Sequence, residues 1–233
     1  MEVDYPRKLL ERIAFIFVFT LCLLGIYYSR TDLAFFEGSY VREDGPLEWL
    51  TVVALTMGSF LCFYRARILA PFRHRKFILG LYLLSAMFFF GLAEEISWGQ
   101  RIWQAWFDFK VPDFFVKYNS QQEMNFHNLR FGGMKINKII FGTGLGIGIV
   151  FYFLILPYLY RKKEAIKNLV DSWALPLPRL YHILAYVSLA IIAEFIAGGK
   201  KGEILEFGGS WIVLLMIFEP YNREIFSRKS FER

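Results

Sequence analysis

Residues 77–101 read FILGLYLLSAMFFFGLAEEISWGQR. The seventeen positions before Glu94 hold no charged residue, and then two carboxylates arrive together. An ionised side chain set in hydrocarbon costs roughly 2.5 to 3.5 kcal/mol on insertion scales, so acids at the end of a spanning helix are paired, solvated or functional. This stretch therefore predicts both a membrane span and a candidate site at its end.

The rest of the chain agrees with the first half of that reading. Of its 233 residues, 56% are hydrophobic and 19% aromatic, far more apolar surface than one soluble core uses. Six stretches approach the roughly 20 apolar residues that cross a bilayer: about 13–29, 47–64, 77–96, 139–159, 180–197 and 204–219. The expected fold is all-α: a polytopic transmembrane helix bundle of about six spans, forming a single integral membrane domain over residues 1–233. The first stretch follows Arg7, Lys8 and Arg12 as a secretion signal would, yet its apolar run is long and ends in Tyr27 and Tyr28 instead of small residues, so it reads as a retained helix. Cys22 and Cys62 fall inside spans, where they read as small buried hydrophobes.

Basic residues set the orientation. Seventeen of the 27 Lys and Arg fall on one side of this topology: Arg7, Lys8 and Arg12; Arg65, Arg67, Arg73, Arg75 and Lys76; Arg161, Lys162, Lys163, Lys167 and Arg179; Arg223, Arg228, Lys229 and Arg233. The positive-inside rule makes that side cytoplasmic and places both termini there, in a bacterial cytoplasmic (inner) membrane. The pI near 9.2 then reflects topology and contact with membrane lipids. Nucleic acid is excluded as a partner, because the charges are dispersed over short loops with no recognition motif.

The same topology gathers acids on the outer face. Glu48 begins the second span, Glu94 and Glu95 end the third, Glu194 lies near the end of the fifth, and Glu203 and Glu206 begin the sixth. The long loop, about 97–138, shares that face and carries His127. Its first part, ISWGQRIWQAWFDF, spaces Trp98, Ile102, Trp103, Trp106 and Phe107 as a helix lying in the headgroup region would, with Pro112 as its expected end. The next part, NSQQEMNFHN, repeats polar residues both every four (Asn119, Glu123, His127) and every two (Asn119, Gln121, Glu123, Asn125, His127), so helix and extended strand are both compatible with it.

If the helix continues past Glu95, then Glu94, Trp98 and Arg101 share a face and Arg101 can neutralise one acid. Two neighbouring carboxylates cannot both ionise cheaply, which makes the other a candidate general acid or base. Glu94, Glu95, Arg101, Glu123 and His127 are the candidate catalytic residues. Glu48, Trp98, Asn119, Gln121, Asn125, Asn128, Glu203 and Glu206 are the candidate binding residues. An imidazole beside carboxylates can activate water or hold a divalent metal ion. The competing reading is that these groups tie the loop to the helix ends. First-turn dipole compensation accounts equally for Glu48 and Glu203. Glu206 lies beside Gly208, Gly209 and Ser210, small residues that let another helix approach, and Glu194, set among alanines, requires Lys200 or Lys201 as a partner. His74 reads as a headgroup-facing residue and His182 as an interface residue. The glycines of FGTGLGIG read as a helix-packing surface, not a phosphate loop, since no lysine follows them.

The motifs EDGPLEW, EEISWGQR, NSQQEMNFHN and EILEF together resemble a recurrent family of uncharacterised bacterial multi-pass membrane proteins, over about residues 43–215. The resemblance implies a shared fold and site. The double glutamate, arginine and later histidine are also distantly similar to the intramembrane glutamate proteases of the CAAX-processing and bacteriocin-immunity type. That likeness implies a water-activating role for Glu94 or Glu95, assisted by His127. This chain departs from that pattern in three places. Arg101 follows Glu95 by six residues instead of four, Glu123 stands where those proteins have phenylalanine, and their second histidine has no counterpart on the same face.

Two functions follow as expectations. One is a membrane-embedded hydrolase or transferase acting on a lipid, lipid-linked or membrane-peptide substrate. The other is a non-enzymatic binding or assembly subunit whose polar cluster holds a cation, a lipid headgroup, a membrane-protein partner or a second copy. A transporter would place acids nearer mid-span, where Glu194 and Glu206 are the nearest candidates for a proton-coupled step.

Overall fold

A computed structural model describes residues 4–131, 134–135 and 144–227. Among them the chain is all-α apart from a two-residue antiparallel pair, in which β1 (Arg130–Phe131) sets Arg130 opposite Lys135 of β2 (Met134–Lys135). Four helices are long and apolar enough to cross a membrane, which makes this a polytopic membrane protein: Arg7–Thr31 within α1 (Asp4–Thr31), α2 (Pro46–Leu69), α3 (Arg75–Glu95) and α6 (Leu145–Lys162). Each coincides with an expected span, although residues 139–143 of the fourth lie outside the described residues. The other two expected spans are also helices. The first, α8 (Leu180–Ala193), has 14 residues and is about 21 Å long, short of the ~30 Å hydrocarbon core. The second, α9 (Lys201–Phe218), has 18 residues and carries Lys201, Glu203 and Glu206.

The residues cluster into two units, one formed by Met1–Leu61 with Pro176–Arg233, the other by Cys62–Leu175. In the first, α1 packs against α8 and α9 around Val18, Cys22, Leu189, Ile204, Phe207 and Ile212. Small residues set the spacing. A Cβ added at Gly208 would lie 2.6 Å from Leu189 Cδ1, and one at Gly25 would lie 2.8 Å from Ile204 Cδ1. The close approach expected near Glu206 is therefore made by Gly208, while Glu206 itself is exposed. Glu194 is exposed at the end of α8 and is paired with Lys201 Nζ at 2.9 Å. Its sequence neighbours Ala193 and Ile196 are the buried ones.

In the second unit, α3 packs on α7 (Glu164–Ser172). A Cβ at Gly80 would fall 2.0 Å from the Trp173 carbonyl oxygen, so only glycine lets these backbones meet. The glycine packing surface expected in FGTGLGIG is not found at Gly146 or Gly148, where no atom of the described residues lies within 4 Å of an added Cβ. Those two residues face outward along α6. The expected interfacial helix is α4 (Gln100–Phe107). Only Gln100 of it is buried, while Ile102, Trp103, Trp106 and Phe107 stand exposed. It ends at Asp108, whose φ is +46°, four residues before the expected stop at Pro112. Pro112 instead caps the start of α5 (Asp113–Tyr118).

Candidate functional site

The site begins where α3 stops. The expected continuous helix through Glu94, Trp98 and Arg101 is not formed, because Ser97, Trp98 and Gly99 all take left-handed backbone with φ of +46°, +54° and +72°. For a non-glycine residue this region costs roughly 1 to 2 kcal/mol, and it persists where surrounding contacts hold it. Those contacts are visible. The Trp98 indole N–H donates to Glu94 Oε1 at 2.7 Å, the Trp103 indole N–H donates to the Trp98 carbonyl at 3.1 Å, and Ser97 Oγ donates to Glu123 Oε2 at 2.9 Å.

Glu94 is only 4% exposed. Its Oε2 accepts the backbone N–H groups of Phe126 at 2.6 Å and His127 at 3.1 Å, and His127 Nδ1 lies 3.4 Å away from the same oxygen. One carboxylate at a helix end thus organises a loop more than thirty residues later in the chain. Charge-assisted bonds of this kind are about twice as strong as neutral ones.

Glu123 forms the second centre. Its Oε1 takes Arg101 Nη2 at 3.0 Å, and its Oε2 accepts from Ser97 Oγ and from Asn125 Nδ2 at 2.8 Å. Arg101 therefore reaches forward to the loop acid instead of back along a helix face, because the left-handed turn has swung α4 away from the line of α3. Asn125 also donates to Ser97 Oγ at 3.1 Å.

The loop carrying these residues is neither of the two expected regular forms. Asn119 pairs with Leu129 in a single antiparallel bridge, and the segment between is held by side chains. Asn119 Nδ2 donates to the Asn125 backbone and side-chain oxygens, both at 2.8 Å, while Asn119 Oδ1 accepts the Gln121 N–H at 2.8 Å. Gln100 Oε1 accepts the Met124 N–H at 2.7 Å. Asn and Asp side chains commonly replace secondary structure in this way. Asn128 Nδ2 donates to Gln121 Oε1 and lies 3.3 Å from His127 Nε2.

Those partners favour one histidine tautomer. Nδ1 faces a carboxylate and so carries the proton, while Nε2 faces an amide N–H₂ and so carries the lone pair. The His127 side chain is 35% exposed. Phe126, its neighbour in sequence, packs with further rings: Phe90 lies 6.3 Å from Phe126 and 5.7 Å from Trp98, centroid to centroid.

The structure thus brings together Glu94, Trp98, Arg101, Asn119, Gln121, Glu123, Asn125, His127 and Asn128. Glu95 is half-buried beside them in sequence. Glu48, Glu203 and Glu206 belong to the other unit. Glu48 Oε2 accepts the Asp44 N–H at 2.8 Å in the first turn of α2, and Glu203 stands in the first turn of α9, 3.8 Å from Lys200 Nζ. Sequence reasoning passed over Ser97 and Gln100, both buried and both bonded to the loop. Both lie within EEISWGQR, but neither carries a charge or an aromatic ring, so only their place in that motif marked them. Among the described residues, no three of His, Cys, Asp and Glu are grouped as metal ligands would be.

A second polar cluster, unforeseen in the sequence, lies in the first unit. Glu11 and His182 are both buried. Glu11 Oε1 accepts from Tyr181 Oη at 2.7 Å and lies 3.2 Å from His182 Nε2, while His182 Nδ1 accepts the Arg179 N–H at 3.2 Å. Arg179 and Arg223 both reach Glu219 Oε2, at 3.2 and 3.3 Å. Glu11 had been hidden in sequence among the basic residues that flank the first span.

Fold and site together define an all-α membrane protein with a buried carboxylate clasping a loop histidine at the end of an apolar helix. No protein-family model, curated protein or solved structure matches the chain.

Proposed function

We propose that this protein is a membrane-embedded hydrolase or transferase in which His127 moves the proton and Glu94 holds it in place. The observation that carries the reading is the 3.4 Å approach of His127 Nδ1 to a carboxylate that is itself almost completely buried. A fixed acceptor on Nδ1 keeps the imidazole in one orientation and leaves Nε2 basic, the arrangement by which carboxylate–histidine pairs act as general bases. Nε2 takes a proton from water or a hydroxyl, the resulting oxygen nucleophile attacks a carbonyl or phosphoryl centre, and the imidazolium returns the proton to the leaving group. This exchanges the roles suggested by the glutamate-protease likeness, because both Glu94 oxygens are already engaged by loop donors.

Substrates of this reading are a lipid, a lipid-linked molecule or a membrane peptide, since Phe126, the residue before His127, packs on Phe90, which in turn meets Trp98 at the end of α3. The basic-residue distribution supports a bacterial inner membrane with cytoplasmic termini and the site on the outer face. Two of the four motifs that resemble the bacterial multi-pass family, EEISWGQR and NSQQEMNFHN, lie in this site, and we take the members of that family to share it.

The test is product release from bacterial lipid extract and short acyl esters, followed by mass spectrometry. His127→Ala is expected to lower turnover about 100-fold or more with a loss of thermal stability under about 1 kcal/mol. Equal turnover in wild type and His127→Ala, or no turnover on any substrate, would sink the proposal. A second reading has its own support: Glu94, Glu123, Asn119 and Gln100 all bond groups of one loop, as a binding or assembly surface would require. On that reading the same variant loses a partner protein or a second copy, not a product.

A further inference from the structure

The segment joining α6 to α7 presents cations and apolar surface together. Arg161, Lys162, Lys163 and Lys167 are all exposed, directly where a membrane-length helix ends at Lys162. The nearby acid Glu164 lies 4.0 Å from Lys167 Nζ, which leaves a local excess of positive charge. On α7 at 100° per residue, Ala165, Ile166, Leu169 and Val170 form one apolar arc opposite Glu164, Lys167, Asn168 and Asp171. The protein covers only part of that arc. Val170 is buried, whereas Leu169 is 53% exposed.

Leu169 is not exposed through looseness of its helix. Tyr160 Oη donates to both Asp171 oxygens at 3.0 and 3.2 Å, and the Trp173 carbonyl is pressed against Gly80. The Leu175 N–H closes onto the Val170 carbonyl at 3.0 Å, and Ala174, with φ of +52°, turns the chain out of the helix. A short amphipathic helix is therefore fixed at the end of a span, with half its apolar arc uncovered and lysines beside it.

We propose that this element is a seat for an anionic phospholipid: the headgroup phosphate on Arg161, Lys162 and Lys163 at the start of α7, and the acyl chain against Leu169 and Ala165. Charge complementarity selects an anionic headgroup, because a choline would bring its own cation against the lysines. The exposed leucine at the same place selects a lipid over a soluble anion, since only a lipid supplies apolar surface with its phosphate. This seat is independent of the Glu94–His127 site.

The full-length protein in a neutral detergent is titrated with phosphatidylglycerol, with phosphatidylcholine and with glycerol phosphate, and thermal unfolding is followed. Phosphatidylglycerol is expected to raise the unfolding temperature by several degrees, in a salt-sensitive way, with a smaller effect of phosphatidylcholine and none of glycerol phosphate. The triple variant Arg161→Gln/Lys162→Gln/Lys163→Gln should unfold as wild type does in detergent alone. It should need about ten-fold more phosphatidylglycerol for the same shift. Equal responses to the two lipids, an equal response to glycerol phosphate, or a triple variant that keeps the full phosphatidylglycerol response would overturn the proposal. Should the triple variant fold poorly, Leu169→Gln provides the second reading, with a weakened lipid response expected and an unchanged one counting against the seat.

Discussion

Replacing Glu94 by glutamine separates the two things this residue does. The carboxylate accepts three N–H groups: the Trp98 indole on Oε1 and the Phe126 and His127 amides on Oε2. A glutamine has one acceptor oxygen. With that oxygen turned to the two loop amides, its own N–H₂ faces the Trp98 N–H and that bond is lost; the other two lose their charge assistance. A bond to a charged acceptor contributes about 1.5 to 3 kcal/mol and a neutral one about 1, so one bond lost and two weakened should cost about 2.5 to 7 kcal/mol, the low end applying if water reaches the part-exposed indole. For a chain of this size that is a fall of roughly 5 to 28 °C in unfolding temperature. His127→Ala is the comparison. Its side chain is one-third exposed and its pairing with Glu94 is long, so its loss should cost under about 1 kcal/mol. Thermal unfolding of both variants in one detergent decides the matter. If Glu94→Gln unfolds within a degree of wild type, or if His127→Ala falls as far as Glu94→Gln, the account of Glu94 as the organiser of the loop is wrong.

Three other perturbations test separate parts of the structure. Gly80→Ala forces a methyl into the Trp173 carbonyl and should destabilise by about 1 to 3 kcal/mol, read as a lower unfolding temperature; a neutral result would mean that α3 and α7 do not touch as described. Glu11→Ala strips Tyr181 and His182 of their shared acceptor and should cost about 2 to 4 kcal/mol, whereas Glu11→Gln keeps an acceptor oxygen and should cost less than half as much; similar losses in both would show that the negative charge, not the hydrogen bonds, holds the cluster. Trp106, 79% exposed on α4, should be quenched by brominated lipid in reconstituted vesicles, so Trp106→Phe should lower the quenched fraction of the emission, and an unchanged fraction would place α4 out of the bilayer surface.

The apolar runs were legible because spanning helices need only length and hydropathy, and the four longest were found within a few residues of their ends. The fifth and sixth read less clearly for a physical reason: Glu194, Glu203 and Glu206 shorten their apolar cores. At the site, Glu94 and Trp98 were expected only to share a helix face, and they meet instead through an indole N–H across a broken helix. Nothing in the residue types Ser97 and Trp98 demands left-handed backbone. It is imposed by bonds to Glu94, Glu123 and Trp103, and the Glu123 bond spans 26 positions. The Arg101 partner was missed for the same reason. NSQQEMNFHN fitted two periods because it obeys neither, its asparagines serving the backbone directly. The Glu11–His182 cluster joins residues too far apart for any local pattern to reveal.

That separation matters for how the protein is made. Glu11 and Tyr181 are 170 positions apart, and ribosomes extend chains at about 5 to 20 residues per second. The first helix therefore waits roughly 10 to 30 s for the residues that will receive its carboxylate. Throughout that interval a nascent segment holds an acid with no native partner yet synthesised. During biosynthesis, the acid of α1 depends on lipid headgroups, neighbouring water or an insertion factor until Tyr181 and His182, in the last quarter of the chain, arrive to receive it.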